Sequence, residues 1–82
     1  MITKEDTEKM YKTLDIMKET LDRKKFGHAL AYIKAIDVSG LFYGEIGIKT
    51  QLLYILSNLQ YWRGDVARTS KAVLRDIIDK MD

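Results

Sequence analysis

The side chains able to do covalent chemistry in this chain are few, because cysteine is absent and His28 is the only histidine. Without cysteine there is no thiol nucleophile, disulfide or cysteine-ligated metal site. Carboxylates recur at three-residue spacing at Asp76, Asp79 and Asp82, beside basic residues. A general acid or base needs a desolvated carboxylate in a cleft, and this charged stretch does not indicate one. We therefore expect no enzyme activity, cofactor, metal site or small-molecule substrate.

Non-covalent recognition is indicated by the 13-residue stretch from Thr50 to Trp62, which carries no charge. On a helix, its polar side would hold uncharged residues where a solvated surface normally carries Lys and Glu. Protein interfaces are enriched in Tyr and depleted in Lys and Glu. The sequence therefore predicts a protein-binding face, with an adjoining aromatic loop as an annex. The face comprises Tyr54, Ser57, Asn58 and Tyr61, and the annex comprises Phe42 and Tyr43.

Two interpretations of this face stay open. Tyr54 and Tyr61 lie one heptad apart, which would place both on one helix surface available to a second copy or to a target protein. Alternatively, this is the central helix of the fold, and its own chain covers the face. A homodimer is the favoured partnership under the first interpretation.

A second recognition surface is indicated by Arg68, Lys71 and Arg75, at i, i+3 and i+7. Two helices separated by a turn containing Gly64 are similar to a helix-turn-helix layout, in which the second helix enters the major groove of DNA. The alternative function is therefore DNA binding, with Lys24 and Lys25 as a further basic patch.

The register of the last helix argues against this alternative. Asp65 and Ser70 fall where the motif usually has apolar residues. Pairing of Asp79 with Arg75, and of Asp76 with Lys80, would also neutralise part of the basic stripe. The net charge of +2, from 14 basic and 12 acidic residues, does not by itself indicate nucleic-acid binding.

Four helical segments position these surfaces. A capping-box-like start at Thr3 and Asp6 precedes an apolar seam at alternating steps of four and three. Gly64 suits the end of the third helix and Asp65 the N-cap of the fourth. The predicted helices cover about residues 3–23, 25–36, 45–62 and 65–81, with an apolar-centred loop at 37–44. Leu53 is expected to widen the inner face of the third helix, and Val66 to belong to that of the fourth.

The predicted fold is all-α: one compact domain over residues 1–82, built as a small antiparallel bundle of four helices. A continuous first helix through residues 23–25, giving three helices, is the alternative. No apolar run is long enough to span a bilayer, and the first residues do not resemble a targeting signal, so we expect a cytoplasmic location. Small accessory, regulatory or inhibitor proteins of phages and plasmids share this size and build, which is an analogy of fold alone.

Overall fold

The computed structural model describes the backbone of residues 3–81 and the side chains of residues 3–36 and 47–81. Within that part of the chain the secondary structure is helical, with no strand. The helices are α1 (Lys4–Thr20), α2 (Gly27–Ser57) and α3 (Asp65–Lys80).

The long helix α2 folds back on itself. Tyr32 and Tyr54 both belong to α2, and a straight helix would separate residues 22 positions apart by about 33 Å. Their ring centroids are only 5.4 Å apart, with the planes inclined by 25°. The stretches 27–36 and 47–57 are therefore two arms packed side by side, which we call the first and second arms of α2.

With these two arms, residues 3–81 form four helical segments, and the predicted all-α four-helix bundle is confirmed. The alternative of a long first helix is wrong, because α1 ends at Thr20. Residues 37–44, predicted as a loop, lie between the two arms and within the bounds of α2. Their side chains, including those of Phe42 and Tyr43, lie outside the described residues.

The start of α1 follows the sequence signal closely. The Thr3 hydroxyl accepts a hydrogen bond from the Asp6 backbone N–H at 3.1 Å, and the Asp6 carboxylate accepts one from the Thr3 backbone N–H at 3.0 Å. This reciprocal capping box satisfies two of the N–H groups that a helix start leaves without partners.

The end of α1 comes three residues earlier than predicted. The Asp22 carboxylate accepts hydrogen bonds from the backbone N–H groups of Lys24 (2.7 Å) and Lys25 (3.4 Å). This Asx-type turn competes with continued helix, so the chain leaves α1 before the basic run begins.

Polar contacts between residues distant in sequence link the end of α3 to the neighbouring helices. Lys80 Nζ lies 3.1 Å from the Asp6 carboxylate and 3.3 Å from that of Asp76, linking the end of α3 to the start of α1. Lys49 Nζ, on the second arm, donates to the Met81 carbonyl at 3.2 Å. Both contacts fit antiparallel packing of α3 against its two neighbours, and a cation at a helix C-terminus is favourable.

A single apolar core fills the space between the segments. All four segments contribute apolar side chains at helical spacing to this core. Each segment buries its apolar side against the apolar sides of the others. Among the described side chains, the most completely buried large ones are Met10, Leu14, Met17, Ile33, Ile36, Leu52, Ile55, Leu59, Leu74, Ile77 and Met81.

Two apolar residues predicted to face inward do not. Leu53 is 48% exposed and Val66 is 45% exposed. Leu53 follows the buried Leu52 by one residue, a rotation of about 100° around the helix. On α3 the buried stripe instead begins at Ala67, so Val66 lies beside it.

No helix in the described part of the chain is both long and apolar enough to cross a membrane.

Candidate interaction surfaces

The second arm of α2 ends at Ser57, five residues before the predicted end. The Tyr54 carbonyl accepts hydrogen bonds from the Asn58 backbone N–H (3.2 Å), the Asn58 side-chain amide (2.8 Å) and the Ser57 hydroxyl (3.1 Å). Ser57 and Asn58, both candidates for the protein-binding face, therefore also terminate the helix. Their side chains satisfy a carbonyl that the end of the helix would otherwise leave without a partner.

The outward side of this arm carries exposed side chains with no charge among them. Tyr54 and Leu53 are each 48% exposed, and the smaller residues beside them are also accessible. The interpretation that the chain covers this face is wrong for the side chains that the structure describes. We call this surface the uncharged face; its residues are Thr50, Leu53, Tyr54, Ser57 and Asn58.

Tyr54 is held in place by its own chain on one side. Its ring stacks on that of Tyr32, on the first arm, while about half of the side chain stays exposed. Stacking fixes the ring orientation before any partner arrives, so less conformational entropy is lost on binding. Leu53 was missed as a surface residue, and its one-residue offset from Leu52 was the available signal.

Tyr61 does not lie on the uncharged face. The heptad relation with Tyr54 holds only within one helix, and Tyr61 comes after α2 has ended, in the turn that follows. Its side chain is 81% exposed, the most exposed of the large apolar side chains described.

Tyr61 instead borders a concave site that we call the aromatic notch. The notch is lined by Lys25, Phe26, Tyr61 and Trp62. Phe26 and Trp62 are half-buried against the core, so they form a fixed floor, whereas Tyr61 and Lys25 are exposed. Lys24, the other member of the predicted basic pair, is exposed but does not line this notch.

A second concave site also has Trp62 in its lining and lies where the connection enters α3. Gly64 precedes this helix with φ +112°, a backbone conformation that an L side chain rarely adopts, and takes the N-cap position predicted for Asp65. We call this site the cationic cleft; it is lined by Trp62, Arg63, Gly64, Ala67, Arg68, Lys71 and Arg75.

The cationic cleft concentrates positive charge without local neutralisation. Among the described residues, Arg63, Arg68 and Arg75 form no ion pair. The predicted Arg75–Asp79 pair is not formed, whereas the predicted Asp76–Lys80 pair is, at 3.3 Å. Basic charge therefore remains available at the cleft, whose lining includes no carboxylate.

The pKa of Lys71 reflects its partial burial and the concentration of positive charge in the cleft. Its Nζ donates a hydrogen bond of 2.6 Å to the Trp62 carbonyl, which holds the amine against the wall of the cleft. Partial burial, and then the positive charges of Arg75 and Arg63, lower the pKa of Lys71 below its ordinary value. Lys80, on the same helix, has the opposite environment, because the Asp6 and Asp76 carboxylates raise its pKa.

The first turn of α3 carries one carboxylate, that of Asp65, which is not among the residues that line the cleft. Asp65 lines a separate groove between α1 and α3, together with Ile16, Val66, Thr69 and Ser70. The cleft is thus lined by cations, one aromatic residue and two small residues, with no acidic side chain.

The connection between α2 and α3 departs from the helix-turn-helix layout. Since α2 ends at Ser57 and α3 begins at Asp65, seven residues (58–64) join them, against a turn of about 3–4 residues in that motif. Ser70 is buried, so a polar residue occupies a core-facing position of α3 where the helix-turn-helix motif usually has an apolar one. The basic residues therefore meet in a cleft beside Trp62.

No group of three metal-ligating side chains was found within the part of the chain that the structure describes. Comparisons with models of protein families, with curated proteins and with solved structures gave no match, so the function of this chain has to be argued from its own surfaces.

Proposed function

We propose that this chain is a non-enzymatic protein–protein interaction module that self-associates through the uncharged face of α2. The observation that carries the proposal is the exposure of Leu53 and Tyr54 on a helix surface without charged residues. Half-exposed apolar groups in an uncharged surround resemble the centre of a protein interface more than ordinary solvated surface. Such a module acts by contact, in an accessory or regulatory role.

A second copy is the occupant that the charge distribution favours. In a twofold dimer the same patch meets itself, so any charge on it would meet a like charge. The chain has a net charge of +2, and the cations of the cleft would repel one another if they were brought together. The uncharged face avoids this repulsion, which makes it suitable for self-association.

The side chains around Leu53 and Tyr54 also allow a second copy to approach these two residues closely. Ser57 and Asn58 are small, and their hydrogen bonds to the Tyr54 carbonyl hold them against the helix end. Partner atoms can therefore reach the Tyr54 ring and the Leu53 side chain without displacing long side chains. Tyrosine adds a large contact area at low entropic cost, which is why it is frequent at binding hot spots.

Light-scattering mass over a concentration series tests this proposal. We expect the mass to rise toward twice the 9.5 kDa of one chain as the protein is raised from about 1 μM to about 1 mM. Leu53→Glu should weaken the dimer at least about 100-fold, because each copy would bury an uncompensated carboxylate at a cost of several kcal/mol.

Val66→Glu is the matched control. Val66 is apolar and nearly as exposed as Leu53, but it lies in the groove between α1 and α3 and not on the uncharged face. Its substitution should leave dimerisation unchanged. A parent protein that stays monomeric throughout, or a dimer that Val66→Glu breaks and Leu53→Glu does not, would overturn the proposal.

A further inference from the structure

We propose that the cationic cleft and the aromatic notch together bind single-stranded nucleic acid, with phosphates along the cleft and a base stacked beside Tyr61. The two sites share one lining residue, Trp62, which places them next to each other on the surface. This binding surface is separate from the uncharged face, whose last residue is Asn58, the C-cap of α2.

The phosphate-binding half rests on the four cations of the cleft. Arg63, Arg68 and Arg75 carry no ion pair among the described residues, so their guanidinium groups are available to bind phosphate oxygens in a bidentate manner. No acidic side chain lines the cleft. An anion placed there would relieve mutual repulsion among the cations, which is the electrostatic condition for binding a phosphodiester chain.

The position of Lys71 strengthens this half of the site. One N–H of its ammonium group is occupied by the Trp62 carbonyl at 2.6 Å, which fixes the amine at the junction of the two sites. The cleft also includes Gly64, where α3 begins without a side-chain cap. The first N–H groups of α3 therefore add a favourable dipole to the charge of the side chains.

The base-binding half rests on the aromatic residues of the notch. Tyr61 is 81% exposed, and Phe26 and Trp62 are half-buried in the core. A single exposed ring beside a fixed aromatic floor can stack an unpaired base, and Lys25 lies at the same notch to contact its phosphate. Cations interleaved with aromatic residues are the usual composition of a single-strand site.

The same geometry disfavours double-stranded DNA. A recognition helix must project from the protein to enter the major groove, whereas the basic side of α3 is flanked by Trp62 and Arg63 and lies within a cleft. In a duplex the bases are stacked on one another, so Tyr61 would have no base face to contact. A single strand can place its backbone in the cleft and turn one base into the notch.

Fluorescence titration of the full chain is the direct test, because Trp62 is its only tryptophan and lies between the two halves of the site. The probes are a labelled oligothymidylate of about 20 nucleotides, a duplex of the same length, and tripolyphosphate. We expect the single strand to quench Trp62 emission and to bind at least about tenfold more tightly than the duplex at low salt. Tripolyphosphate should compete without reproducing the quenching, since it has no base to stack.

Two double variants of equal charge distinguish oligonucleotide binding in the cleft from non-specific electrostatic attraction to the protein. Arg68→Ala with Arg75→Ala removes two exposed cations from the cleft, and Lys9→Ala with Lys12→Ala removes two exposed cations from α1. We expect the first pair to reduce the salt slope of oligonucleotide binding by about 1.4, at about 0.7 per phosphate contact in single strands. The second pair should leave that slope unchanged. Thermal melting of both confirms that the fold is kept.

Four results would overturn the proposal. The first three are no binding of the single strand below about 100 μM at low salt, duplex binding as tight as single-strand binding, and equal losses for the cleft pair and the α1 pair. Tripolyphosphate that displaces the single strand at equal concentration would also overturn it, because the site would then be one for free phosphate.

Discussion

The uncharged face and the cationic cleft lie next to each other along the chain, yet their chemistry is opposite. The face exposes Leu53 and Tyr54 without any charge, whereas the cleft gathers four cations without any carboxylate. A net charge of +2 describes neither surface, because the acidic residues lie elsewhere, such as Asp6 and Asp76 around Lys80. In a small protein, the distribution of charge over the surface therefore indicates the kind of partner better than the net charge does.

The boundary between the two surfaces is the end of α2. Hydrogen bonds from Ser57 and Asn58 to the Tyr54 carbonyl stop the helix there. The chain then turns, so Tyr61 is placed beside Trp62 at the aromatic notch and away from Tyr54. Had the helix continued to Trp62, the two tyrosines would have shared one face.

The largest expected difference between the two surfaces is in the salt dependence of their binding. Raising the salt concentration from about 50 mM to about 500 mM should weaken oligonucleotide binding at least about 100-fold, because several phosphate contacts release counterions. Dimerisation through the uncharged face should change less than about twofold over the same range, since no ion pair is made there. Anisotropy and light scattering on the same samples check both; a dimer that dissociates with the oligonucleotide would show that the surfaces are not independent.

The two tyrosines should then act on different partners. Tyr54→Ala should weaken dimerisation about tenfold and leave oligonucleotide binding unchanged, whereas Tyr61→Ala should have the reverse effects, in line with typical losses at hot spots and stacking sites. Each variant is the control for the other, because both remove an exposed tyrosine ring. If both variants weakened the same interaction, the separation at the end of α2 would be contradicted.

The inner side of the second arm offers a smaller test that leaves its outer face intact. Gln51 Oε1 is buried without a hydrogen-bond partner among the described residues, which costs stability. Gln51→Leu should raise the free energy of unfolding by about 1 kcal/mol, measured by urea denaturation. Gln60→Leu, at an exposed position, is the control and should have little effect. A Gln51→Leu variant that is less stable than the parent would indicate that this amide is satisfied.

The smallest effect concerns two lysines of α3. The pKa of Lys71 is lowered by burial and by neighbouring arginines, and that of Lys80 is raised by Asp6 and Asp76. As the pH rises, Lys71 should therefore lose its proton before Lys80. NMR titration of isotopically methylated lysines measures the order directly. Titration of Lys80 first, or of both together, would contradict the view that the cleft lacks carboxylates.

Much of the local structure could be predicted from the sequence, because its signals are local. Thr3 and Asp6 form the capping box that their spacing indicates, since a hydrogen bond across three residues needs no distant partner. The core positions Leu14, Ile33 and Leu52 follow from helical periodicity. Leu53 and Val66 were placed wrongly, because periodicity defines a broad apolar side and the packed neighbours decide where its edge falls.

The candidate surfaces were predicted only in part. Tyr54, Ser57 and Asn58 lie exposed at the end of one helix, as required for a binding face, whereas Tyr61 lies elsewhere. Arg68, Lys71 and Arg75 were identified as one stripe, but Arg63 and Trp62 were not assigned to it. Their membership depends on the path of residues 58–64, a connection whose conformation no short motif specifies.

The helical class, the capping of α1 and most of the core follow from the amino-acid sequence alone, because hydrogen bonds within a helix and apolar periodicity depend on residues a few positions apart. Two arrangements depend on tertiary packing: α2 folds back to stack Tyr32 on Tyr54, and Trp62 lines both the cationic cleft and the aromatic notch. These arrangements join residues distant in sequence. They follow from burying one shared core among four segments, a condition that the whole chain satisfies at once.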